Sequence, residues 1–291
     1  MTNAVALPPA ATPARPPLAA RAVEAIPKVL FWIYVLAFFV YLFAPLVVMS
    51  AAAFNTSRFP TVTPWLGTTT EWFAEMADDT AMWRALWTSA IVALGVVAIA
   101  VPVGTAAALV LTSLHARARS VLYALMVSPL LTPGVVIGIA TLILWRPLGV
   151  GGGLLLIVLA QASFISAYVM LMVAARLQRF DRTLEEAALG LGASKLMVFR
   201  RVTLPFLRPA LLAAALLATL QSVENYNTTL FVRGFETPLT VYIATKVRTG
   251  LTPAVNALAL VMIAITILGA VGWEIARRLE ARRAGKVASE S

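Results

Sequence analysis

Five stretches of this chain run for 25 or more positions without a single charged residue: 29–53, 85–114, 120–145, 147–175 and 249–273. About 20 apolar residues in helical form cross the hydrocarbon core of a bilayer, so each stretch is long enough to span one. The spans must be helices, because lipid offers no partner to loose backbone groups and the runs are too long for barrel strands. A sixth span is expected from 209 to 232, where Pro209–Val223 is uncharged and only Glu224 interrupts before Asn225–Val232. With 60% hydrophobic and 12% charged residues, the composition is that of an all-α membrane protein with six transmembrane helices.

A net charge of +10 in a soluble chain would point to nucleic acid, but here the basic residues follow the loops. Three Lys or Arg lie in the first tail, two in the 115–120 loop, seven in the 176–208 loop and five in the last tail. The alternate loops share six, and the first of them carries Glu71, Glu75, Asp78 and Asp79. The positive-inside rule therefore puts both termini in the cytoplasm, an N-in, C-in topology that makes the lipid bilayer the partner and leaves nucleic acid without a role.

Residues 1–27 are rich in Ala and Pro and are expected to form a disordered cytoplasmic tail. Residues 28–83 hold the first span and an outward loop in which a short interfacial helix is expected. Residues 84–275 form the main membrane domain, with its long cytoplasmic loop at 176–208, and 276–291 are a basic cytoplasmic tail. Pro129, Pro133 and Gly134 should kink the third run, and Gly134 with Gly138 makes a small-xxx-small pair suited to close helix packing.

Several chemistries are excluded or left without support. No Gly-x4-Gly-Lys-Ser/Thr pattern occurs, so the chain lacks the usual nucleotide-hydrolysing loop, and Gly149–Gly153 is an outward turn instead of a phosphate cradle. Cysteine is absent and the single His115 has no Cys or carboxylate neighbours, so neither a thiolate nor a histidine metal centre is indicated. A membrane enzyme would need paired acids or histidines at a membrane face. An ion-coupled secondary transporter would need several buried charges and inverted repeats. The sequence displays none of these.

The long cytoplasmic loop reads as two short helices. Thr183 with Glu186 three residues on is a capping-box pattern, Gly190 and Gly192 supply a stop, and Ser194 can cap a second helix that ends before Pro205. Leu184, Ala187, Ala188 and Leu191 share one small apolar face, which can pack on the chain's own spans or enter a groove on another protein.

Glu186-Ala187-Ala188, Gly192, Val202 and Leu204-Pro205 resemble, at every spacing, the signature of permease subunits of binding-protein-dependent ABC importers, with Val where Ile is commonest. The resemblance covers about residues 84–275 and implies the type I, MetI-like permease fold. It also implies that the helix before Gly192 is a coupling helix docking on a cytoplasmic ATPase. The expected assembly pairs this chain with a second homologous permease, two ATPase subunits that use ATP and Mg, and an extracytoplasmic binding protein, in the bacterial inner membrane. This chain itself would bind no cofactor and catalyse nothing. Asn225–Gly234 and Leu239–Ile243 are similar to the second permease of spermidine/putrescine-type systems, which implies a polyamine or related organic cation. Other solutes handled by the same class, such as an amino acid derivative, a phosphonate or iron, stay open.

Within the sixth run, Gln221, Glu224, Asn225 and Thr228 would share one helical face. An acid inside a span is expected to face a bundle interior or a water-filled path. Such a carboxylate among amides suits a cationic amine along a substrate path, or serves as an inter-subunit hydrogen bond or gate element.

Overall fold

A computed structural model describes residues 18–250 and 252–289, and among these every regular element is helical. Residues 1–17 of the expected tail lie outside the described residues, and 18–27 form the first turns of helix α1 (Leu18–Ala52) instead of an irregular segment. The chain divides into two compact units, one comprising residues up to Trp72 together with those from Asn256, the other Phe73–Val255.

In the first unit, α1 is exposed over most of its apolar stretch Pro27–Ala52, with only Ala52 at its end buried, so most of its surface is available to lipid or to another subunit. The loop that follows is organised by Asn55, which is fully buried. Its amide nitrogen donates to the carbonyls of Thr61 and Pro64 at 2.8 and 3.0 Å, its side-chain oxygen accepts from the Leu66 amide, and its own carbonyl accepts from the Trp72 indole. The short interfacial helix expected in this loop is present as α2 (Glu71–Asp78).

The second unit is built around α6 (Leu154–Leu177), the most enclosed helix, with 61% of its apolar window buried. It packs against α3 (Thr80–Ser113) and α9 (Leu204–Val223) through Val92, Val96, Ile157, Ile165, Met170, Leu207, Ala214 and Ala218. Lipid tails are as apolar as these side chains, so close backbone approach through small residues has to carry the packing. Gly104 is the tightest case: a Cβ there would lie 2.5 Å from the Ser166 carbonyl oxygen and 2.6 Å from Cβ of Val169.

Two expected spans are interrupted. The third run is two helices, α4 (Ala116–Val127, extended by a 3-10 turn to Leu131) and α5 (Gly134–Trp145), bent by 108° at Thr132-Pro133. The prolines do more than kink it: Pro129 turns the end of α4 into a 3-10 segment and Pro133, unable to continue a helix, stands at the N-cap of α5. The sixth expected span, 209 to 232, is corrected: the continuous apolar helical stretch runs from Lys195 to Val223, through the four-residue α8 (Lys195–Val198), and the chain breaks at Glu224 before α10 (Asn227–Val232). Among the described residues, four continuous helices are thus long and apolar enough to cross a bilayer, the bent pair makes a fifth, and α12 (Pro253–Ser289) carries a shorter apolar segment, Pro253–Gly269, in place of the sixth.

Candidate functional site

The 176–208 loop folds as its local sequence dictates, with one correction. Helix α7 (Thr183–Gly190) is capped by Asp181 and not by a Thr183–Glu186 box: the Asp181 carboxylate accepts from both the amide and the hydroxyl of Thr183, at 3.0 and 2.8 Å. These two hydrogen bonds hold the Asp181 carboxyl below the usual carboxylate range. The neighbouring acid Glu185, absent from the sequence reading, accepts from the Thr203 hydroxyl and ties α7 to the turn that precedes α9. Glu186 stays exposed.

The stop at Gly192 is a Schellman closure. The Ala193 amide donates to Ala188 and the Gly192 amide to Leu189, with Gly192 at φ +86°. A Cβ on Gly192 would meet nothing, so glycine is required there by backbone conformation and not by space. Ser194 caps α8 through the Met197 amide as expected. Leu204 and Pro205 are half-buried in the first turn of α9, where proline's missing N–H leaves nothing unpaired.

Leu184, Ala187 and Leu191 are exposed, Leu191 at 90%, and Ala188 is half-buried. Of the two uses open to this apolar face, packing on the chain's own spans is not the one adopted.

The predicted path residues meet in a different place from the one a continuous helix would give. Gln221, Glu224, Asn225 and Thr228 all line a single cavity of about 290 Å³, at the level where the α4–α5 pair and the α9–α10 pair are both broken. They converge because the helix stops, with Glu224 forming the C-cap of α9. Glu224 is accordingly exposed at a helix end instead of sitting within a span. Phe164 and Tyr168 of α6 and Tyr226 supply aromatic walls to the same cavity.

A buried polar relay holds the break. The Ser222 hydroxyl donates to the Gln161 side-chain oxygen, the Gln161 amide donates to the Thr229 hydroxyl at 2.8 Å, and the Thr229 hydroxyl donates to the Asn225 side-chain oxygen at 3.3 Å. Gln161, Ser222 and Thr229 are all buried, so each polar group needs its partner. Thr228 is fully buried, and its hydroxyl has no partner among the described residues. It lies over Gly134, where a Cβ would come within 2.9 Å of the Thr228 hydroxyl, and at Gly138 a Cβ would come within 2.7 Å of its carbonyl. The small-xxx-small pair is therefore the seat on which α10 packs against α5.

Residues 100–284 match the family described as binding-protein-dependent transport system inner membrane component. The chain belongs to that family. It is 36% identical to the putrescine transport system permease protein PotI of Escherichia coli (strain K12), over 84% of this chain and 90% of that one. It is 28% identical to the spermidine/putrescine transport system permease protein PotC of the same strain, over 84% and 92%. Among solved structures it resembles a chain of a bacterial ABC transporter involved in the import of the acidic polysaccharide alginate, with TM-score 0.64 and 17% identity over 90% of this chain and 99% of that one. The MetI-like permease fold expected from the loop signature is thus borne out, and the relatives are transport permeases, not enzymes.

In this permease, sequence reasoning missed Gln161, Phe164, Tyr168 and Tyr226. Gln161 carried a usable signal: it is the only carboxamide in the uncharged run 147–175, and a lone amide in an apolar span needs a partner as much as a lone acid does. Phe164 and Tyr168 carried none, since ring side chains are ordinary in apolar helices.

Proposed function

We propose that this permease imports a linear diamine or polyamine across the bacterial inner membrane. It works with a second, similar permease, receives solute from an extracytoplasmic binding protein and draws on ATP hydrolysed by two separate cytoplasmic subunits, this chain binding no nucleotide or metal of its own. The observation that carries the solute class is the cavity: a carboxylate, Glu224, beside the amide of Asn225 and the rings of Phe164, Tyr168 and Tyr226. An alkylammonium is attracted by a carboxylate and by aromatic faces, and the methylene chain between two ammonium groups suits apolar walls. The similarity to the putrescine and spermidine/putrescine permeases supports the same solute class. The exposed face Leu184, Ala187 and Leu191 supports α7 as the element that docks in the ATPase and passes its closure on through the half-buried Leu204 and Pro205 to α9.

The test is uptake of labelled putrescine and spermidine by cells that rely on the native system for either. Wild type should transport at least one, and Glu224→Gln should raise the apparent KM about tenfold with the maximal rate largely kept, the size of one charge-assisted hydrogen bond. No uptake of either amine, or an unchanged KM in the variant, rejects the assignment.

A further inference from the structure

Away from the cavity and the α7 face, a second polar feature lies where α3 ends, α4 begins and α6 runs out into the cytoplasmic loop. Arg119, in the second turn of α4, donates through Nε to the Leu111 carbonyl at 3.1 Å and through Nη2 to the Thr112 carbonyl at 3.5 Å. Arg182, on the loop leading into α7, donates through Nη2 to the same Thr112 carbonyl at 2.8 Å. Two guanidinium groups thus converge on one oxygen, and neither has an ion pair among the described residues. The nearest acid in sequence, Asp181, is occupied by the amide and hydroxyl of Thr183.

A guanidinium on the last carbonyls of a helix is a good cap, because those carbonyls lack partners and carry the negative end of the helix dipole. One is enough for that. Bringing a second beside it adds like-charge repulsion, and an anion between the two forks would relieve it.

The surroundings say which anion. Both arginines line a cavity of about 320 Å³, together with Gln178 at the end of α6. A second cavity of about 440 Å³ shares Arg119 and Gln178 and continues along Tyr123 of α4 and Leu171 of α6. A basic mouth thus opens onto an apolar furrow between two membrane helices, on the side that the distribution of basic residues assigns to the cytoplasm.

We propose that this furrow binds one anionic phospholipid of the inner leaflet, its phosphate held between Arg119 and Arg182 and an acyl chain lying along Tyr123 and Leu171. The bound headgroup bridges the end of α3 to the segment that feeds α7, so the lipid steadies the base of the exposed docking helix. The assignment stands apart from the identity of the transported solute.

The experiment is native mass spectrometry of the full-length permease, purified with whatever subunits accompany it and equilibrated in detergent with equal amounts of phosphatidylglycerol and phosphatidylcholine. Wild type should retain phosphatidylglycerol about tenfold over phosphatidylcholine, and the double variant Arg119→Gln/Arg182→Gln should lose that preference. Arg117→Gln, an exposed neighbour outside both cavities, should keep it. If the glutamine pair does not fold, Arg119→Lys/Arg182→Lys retains both charges but not the forked geometry, and its preference should fall severalfold while the protein still elutes as a folded species. Equal retention of the two lipids by wild type, or a preference that survives the glutamine pair, overturns the proposal. Displacement of the lipid by millimolar inorganic phosphate would show that the site takes a soluble anion, and overturns it equally.

Discussion

The α7 loop and the cavity at the α9–α10 break are both polar interruptions of an apolar chain, yet they are held in opposite ways. Cap, helix and stop in the loop come from one short segment, Asp181 to Ser194, and the face that results is exposed. The cavity depends on Gln161, which reaches 61 and 68 residues along the chain to Ser222 and Thr229 and is itself buried. A locally determined, exposed feature is free to meet a partner, because nothing in the fold depends on its outer face. A non-local, buried one fixes where the helix ends and cannot be altered without disturbing the frame. Function and stability should therefore separate in the loop and be bound together in the cavity.

The sharpest way to break that contrast is to charge the exposed face of α7. Leu184→Asp/Leu191→Asp should reduce energised uptake by about a hundredfold or more, as loss of a central apolar anchor does at an interface. Thermal stability should stay within about 1 °C, as for exposed substitutions. A large fall in melting temperature would mean that the face supports the fold after all.

Gln161→Leu probes the other side. It strands the Ser222 hydroxyl in a buried site, at about 1–3 kcal/mol for an unsatisfied group, and leaves the Thr229 hydroxyl with Asn225 alone. The melting temperature should fall by several degrees and the apparent KM rise together with it. Uptake kinetics and a thermal melt on the same preparation check both. If KM rises with no loss of stability, Gln161 acts on solute directly and function separates from stability in the cavity as it does in the loop.

A smaller effect belongs to a third junction, intermediate in kind. Asp79 caps α3 through the Met82 amide, accepts from the Tyr242 hydroxyl of α11 (Leu239–Thr249) and lies 3.5 Å from Lys246 Nζ. Burial alone would raise the Asp79 carboxyl, but the Tyr242 hydroxyl, the Met82 amide and Lys246 outweigh it and hold it below the ordinary value of 3.8. Burial first, and then the Asp79 carboxylate, push the Tyr242 hydroxyl upward. A carboxyl lowered by folding stabilises the fold above its unfolded pKa and ceases to do so as pH falls through the folded value. Stability should thus be flat near neutrality and decline below about pH 4, by no more than about 1 kcal/mol for a pair still partly open to solvent. Asp79→Asn should flatten that acid limb, as melting temperatures across pH would show. An acid limb unchanged in the variant would assign the decline to other carboxylates.

Much of this permease was determined by sequence alone. The uncharged runs pointed to membrane helices, and the residues from Glu186 to Pro205 carried the signature of the family to which the chain belongs, because each of these properties is local to a few consecutive turns. Thr183 and Glu186 misled only on which neighbour makes the cap, since Asp181 lies two residues before Thr183 and reaches its amide and hydroxyl first. Tertiary structure decided the rest. That Glu224 stands at a helix end, and that Phe164 and Tyr168 face the same cavity as Asn225, depend on segments distant in sequence. A polar residue in an apolar helix announces that it needs a partner, but only the packed fold says whether that partner is met by continuing the helix or by breaking it.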